Sequence, residues 1–165
     1  MSDIGSGSGR STSVPNRSSV PGMTRAQLGA LALSGLFLLV GVLGFIPGVT
    51  VGYRHLALAS EQSSALLLGW FQVSVVHNLV HVVFGLIGLF AARAHRRAWR
   101  FLLIGGCVYL GLAVYGFLAA AMSAGNIIPL NTADNWLHVV FAAIMIISGL
   151  ATKRMPTEAP SERGT

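Results

Sequence analysis

The segment Asn78-Leu79-Val80-His81-Val82-Val83-Phe84 returns 57 residues later (78 to 135) as Asn135-Trp136-Leu137-His138-Val139-Val140-Phe141. Each copy lies inside a long apolar run, so two helices carry the same Asn and His. Polar and ionisable side chains at such depth are rare and costly, which makes them the first place to look for function. Working outward, apolar stretches run from Ala26 to Ile46, Ala65 to Ala92, Phe101 to Met122 and Trp136 to Thr152, against the ~20 residues a membrane-crossing helix needs.

The 165-residue chain is 53% hydrophobic and 10% charged, with a mean hydropathy of +0.69. That is too apolar for a soluble domain of this size. The fold class read from it is all-α: a polytopic membrane protein with four transmembrane helices. Residues 1–24 form a Gly/Ser-rich tail expected to be disordered, 25–153 the four-helix domain, and 154–165 a second disordered tail. The first apolar stretch, at ~20 residues, exceeds the 7–15 of a signal-peptide core and is read as a retained span.

Ten of the eleven basic residues lie before span one, between spans two and three (Arg93, Arg96, Arg97, Arg100) or after span four; only Arg54 lies elsewhere. By the positive-inside rule both termini and the middle loop are expected to be cytoplasmic, in the cell's inner membrane. The net charge of +6 is thereby explained by topology and anionic lipid headgroups, and no basic amphipathic or aromatic-basic motif points to nucleic acid. Arginine outnumbers lysine ten to one, a composition suggesting a GC-rich bacterial genome. Cys107 is the single cysteine, which excludes an intrachain disulfide or a CxxC pair.

Pro47-Gly48 ends the first helix, and a loop of about 16 residues follows, long for a helix connection; it either covers the outer mouth of the bundle or is a tolerated surface loop, the second being the favoured reading. Pro129 breaks the chain again, Asn131 or Thr132 is suited to cap span four, and Asp134 falls in its first turn, where the helix dipole favours a carboxylate. Trp70 and Trp136 are placed at the outer interface and Trp99 at the inner one.

Each seven-residue copy is preceded by a span bearing Gly-Phe (Gly44-Phe45, Gly116-Phe117) and then by Ile-Pro (Ile46-Pro47, Ile128-Pro129). This suggests duplication of a two-helix hairpin, giving two parallel repeats with His81 and His138 within roughly 5 Å of one depth at 1.5 Å per residue. On span two Ser74, His77, Asn78, His81, Gly85 and Gly88 share a stripe of i, i+3, i+4 spacing; on span four Asn135, His138, Ala142, Met145 and Gly149 do the same. Ser34, Gly41, Gly44 and Gly48 on span one, and Gly105, Tyr109 and Gly116 on span three, would let these stripes approach closely.

The cluster His77, Asn78, His81, Asp134, Asn135 and His138, supported by Ser74 and Tyr109, is open to three uses. It can be structural, with Asn and His hydrogen-bonding across helices. It can ligate: His77 and His81 are spaced i, i+4 with His138 as a third ligand to a divalent metal, or His81 and His138 are axial ligands to haem. It can relay protons or pass a solute, with Tyr109 and Asp134 in the chain. No GxSxG, P-loop, HExxH or Cys-His arrangement is present, so no enzyme is expected.

The stretches GVLGFIPGVT (41–50), LLLGWFQVSVVHNLVHVVFGLIGL (66–89) and IPLNTADNWLHVVF (128–141) together resemble the family catalogued as domain of unknown function 4383, small four-helix bacterial membrane proteins. The resemblance covers about Leu28 to Ala151. It implies the four-span architecture and singles out the same six His, Asn and Asp positions, without choosing among the three uses. The expected role is an accessory or structural membrane component without a resident cofactor, partnered by the lipid bilayer and by a second copy or another membrane protein.

Overall fold

The structure, a computed structural model, describes residues 22–59, 63–122 and 130–153. Pro129, the first tail apart from 22–24, and the whole of the second tail lie outside the described residues. Four helices make up most of the rest: α1 (Arg25–Leu43), α2 (Val75–Ala91), α3 (His95–Met122) and α4 (Thr132–Ala151). Three of the four helix starts are set by local capping. Thr24 and Gln27 close a capping box at α1, Ser74 accepts from the His77 N–H at α2, and Asn131 forms a box with Asp134 at α4.

Three helices, α1, α3 and α4, are long and apolar enough to cross a membrane; α2, at 17 residues, is shorter. The expectation of a helix from Ala65 is corrected here. Residues 63–68 alternate between buried and less buried, the period of a strand, and they enter a small antiparallel sheet. Strands β1 (Thr50–Val51), β2 (Leu66–Leu67) and β3 (Phe71–Gln72) lie in that order, Thr50 opposite Leu67 and Leu67 opposite Phe71. Leu68 and Gly69 both take positive φ, +55° and +76°, between a Trp70 N–H and the Leu67 carbonyl, as a tight hairpin turn requires.

The other ends shift less. α1 stops at Leu43 rather than Ile46, because the residue before Pro47 is driven out of the helical region. Gly48 therefore lies outside the helix, at φ +92° with open space beside it, and packs no partner span. α3 starts at His95, not Phe101, so Arg96, Arg97 and Arg100 are helical and a three-residue turn joins it to α2. Arg97 lies over the Phe90 ring at 4.6 Å.

α1 packs chiefly on α2 and α3 chiefly on α4, with α1–α3 contacts next. Phe37, Leu102 and Met145 form the centre of the core. The polarity is inverted relative to a soluble bundle: Leu39, Val83, Leu86, Ile104, Ile147 and Leu150 face outward, while Ser34, Asn78, His81, Asn135 and His138 are buried. Without lipid that surface would be an aggregation liability; with lipid it is the expected exterior.

The sheet is no free surface loop. Val40 and Leu43 of α1 pack against its buried Ala65, Leu67 and Val73. It is also tied to α4: the Gln72 N–H donates to Asp134 Oδ2 at 3.0 Å and Asn131 Nδ2 donates to the Trp70 carbonyl at 2.7 Å.

Candidate functional site

Helices α2 and α4 deliver the polar residues at matching positions. Counting 57 residues on, the cap Ser74 corresponds to Asn131, His77 to Asp134, Asn78 to Asn135 and His81 to His138. Ser74 is therefore a helix cap rather than a member of a helical stripe. The single cluster expected from spacing is divided in three.

The first part joins His77, His81, His138 and Tyr109. The His77 and His81 rings stack at 4.6 Å and 11°, as one turn of helix dictates, and His138 comes to 6.4 Å and 19° from His77. Tyr109 stands edge-on to both His138 (5.2 Å, 72°) and His81 (6.3 Å, 74°). His81 Nδ1 lies 3.1 Å from the His77 carbonyl oxygen; a carbonyl only accepts, so this nitrogen carries the proton and a neutral ring keeps its lone pair on Nε2.

Asp134 is engaged by the backbone rather than by an imidazole. Its Oδ2 accepts from the backbone N–H of Gln72 and of Asn131, both at 3.0 Å, so it closes the α4 cap and holds the sheet at once. Asp134→Ala is expected to lower stability by about 1–2 kcal/mol. Hydrogen exchange should show the loss first at the Gln72 amide; unchanged protection there would refute this role.

The third part is the asparagine pair. Asn78 is fully buried against Gly44, and Asn135 against Gly116, so closely that a Cβ on either glycine would fall within the carboxamide. Neither Asn78 Nδ2 nor Oδ1 nor Asn135 Oδ1 has a hydrogen-bond partner. The expected polar glue is thus corrected: among the described residues the His and Asn side chains of this cluster make no hydrogen bond between helices. The asparagines fit by shape.

Two cavities flank the histidines. One of about 160 Å³, between α2 and α3, is lined by Ser74, Val76, Val80, Tyr109 and Leu112; the other, about 170 Å³, lies between α1, α4 and the sheet, beside Val40, Leu67 and Asp134. His77, His81 and His138 border both. Among the described residues no three His, Cys, Asp or Glu side chains are grouped to hold a metal ion, because the imidazoles stack instead of converging. Haem fits poorly too: each cavity is about the size that holds a benzene ring.

Spacing did not reveal the aromatic layer beside the histidines. Phe37 stacks on Tyr109 (5.1 Å, 21°) and meets Phe84 and Phe141 at 5.1 and 5.2 Å. A signal existed: Phe37 precedes Tyr109 by the 72 residues that separate Gly44 from Gly116, and Phe84 precedes Phe141 by 57.

A family model described as "Domain of unknown function (DUF4383)" matches residues 27–151. No curated protein and no solved structure matches the chain.

Proposed function

From the premise that the chain belongs to the DUF4383 family across residues 27–151, we propose that it is an accessory membrane protein, a scaffold that holds a shaped site and carries out no catalysis. In this reading all four helices span the inner membrane, as two parallel hairpins, α1–α2 and α3–α4, related by an axis through the Phe37–Tyr109 stack. The observation that carries it is the twin asparagine contact, Asn78 on Gly44 and Asn135 on Gly116. Ring contacts support the same axis: Phe37–Phe141 at 5.2 Å corresponds to Tyr109–Phe84 at 5.4 Å, and Phe37–His81 at 6.0 Å to Tyr109–His138 at 5.2 Å. Two copies of one packing solution, each buried among outward-facing Leu, Ile and Val, are what a duplicated membrane hairpin needs.

A non-catalytic role is supported by the way the polar groups are spent. Asp134 serves backbone N–H groups, and the imidazoles pack against each other and Tyr109. A conducting path has less support, since the Phe37, Phe84, Phe141 and Tyr109 rings pack in a layer against the histidines, with Phe37 and Met145 wholly buried. By the positive-inside rule the α2–α3 turn with Arg93, and the first turn of α3 with Arg96 and Arg97, lie in the cytoplasm and the sheet outside.

Orientation is tested by cysteine labelling of intact cells in a Cys107→Ser background. Tyr53→Cys, on the sheet side, is expected to react with a membrane-impermeant maleimide, and Arg96→Cys only after permeabilisation. The reverse pattern would invert the topology; labelling of both in intact cells would remove the four-span reading.

A further inference from the structure

Three imidazoles and a phenol meet inside the bundle, and among the described residues the only hydrogen bond of the imidazoles runs from His81 Nδ1 to a backbone carbonyl of its own helix. His138 is 3% exposed, its Nδ1 has no partner, and its ring borders the α2–α3 cavity. Tyr109 is equally buried and stands edge-on to His81 and His138. Buried polar groups left unmade in an apolar surrounding are costly, and a site of this kind is completed by a guest that supplies the missing partners.

The surroundings define that guest. Among the described residues the cavity lining contains no Lys, Arg, Asp or Glu, which favours a neutral molecule. Val76 and Val80, 43% and 53% exposed, stand at its edge on the outward apolar surface of α2, so entry is from lipid. The volume of about 160 Å³ accepts one six-membered ring. The imidazole faces and the Tyr109 edge offer a flat ring π contacts, while His81 Nε2 and the Tyr109 hydroxyl offer an acceptor and a donor.

We propose that the α2–α3 cavity binds a neutral, lipid-soluble ring carrying hydrogen-bonding oxygens, a quinone or phenol in chemistry, held by His81, His138 and Tyr109 with any tail leaving between Val76 and Val80. This rests on the reading that these helices lie in a membrane, which the cysteine labelling decides separately from any ligand.

The test is titration of the full chain in lipid nanodiscs, labelled with ¹⁵N in its histidine rings, using decylubiquinone, its tail-less ring and phenol. Saturable shifts of the His81 and His138 ring signals are expected, with those of His55 and His95 unmoved. Tyr109→Phe keeps the ring stack with Phe37 and removes only the hydroxyl; it and the cavity-filling Val80→Trp are each expected to weaken binding about tenfold or more. Tighter binding of the tailed compound supports a lipid quinone as the source, and equal binding of the bare rings supports a small phenol. The proposal is overturned by histidine signals that no ring compound moves, the result for a cavity holding water only. Equal binding by both variants and the parent overturns it too.

Discussion

Gly116→Ala is expected to destabilise the protein by about 3 kcal/mol or more, at or above the upper end of the usual cost of overpacking a core. Its Cβ would fall within the Asn135 carboxamide, which is 1% exposed and enclosed between α3 and α4, so neither side chain nor helix can yield cheaply. Gly44→Ala should do the same through Asn78, which is 0% exposed. Unfolding in mild detergent measures both. Gly35→Ala and Gly111→Ala are the controls: nothing lies within 4 Å of an added Cβ there, and alanine's better helix propensity should make them neutral or stabilising by up to about 1 kcal/mol. The decisive measurement is the cycle with Asn135→Ala. Shrinking the asparagine should restore much of what Gly116→Ala loses, a coupling of about 1–3 kcal/mol. Additive losses would show that the glycine is needed for some reason other than this contact.

That contact also shows what could be read from the chain and what could not. The repeated Asn and His, the buried stripes of α2 and α4 and the Asn131 cap were legible because helical period and capping chemistry are local. The division of the polar cluster was not. Asp134 and His138 share a helix four residues apart, but Asp134 meets the Gln72 N–H of a strand that an apolar run of Ala65 to Val73 disguised as helix. Short apolar runs carry no period that separates a buried strand from a helix, and here the Gly69 turn decided. The asparagines read as hydrogen-bonding glue because residue type gives capacity, not partners; only the packed helices show each carboxamide against a glycine.

Phe37→Ala is expected to cost about 2–4 kcal/mol, and the reason bears on what holds such a bundle together. In water, truncating a buried Phe loses both transfer free energy and the contacts around the cavity, typically ~3–5 kcal/mol. In lipid the separated helices would bury Phe37 in hydrocarbon anyway, so the transfer part falls away and the lost packing remains. That packing is dense: Phe37 is 0% exposed and its ring lies within 5.1–6.0 Å of His81, Phe84, Tyr109 and Phe141. Phe90, 54% exposed on the outer face of α2, is the comparison, because its truncation leaves no internal cavity. Phe90→Ala should change stability in nanodiscs by about 0.5 kcal/mol or less. Equal losses from the two would mean that apolar area alone, wherever it lies, sets stability. A gap between them would locate it in the ring layer, where one substitution also withdraws the wall that orients His81 and Tyr109.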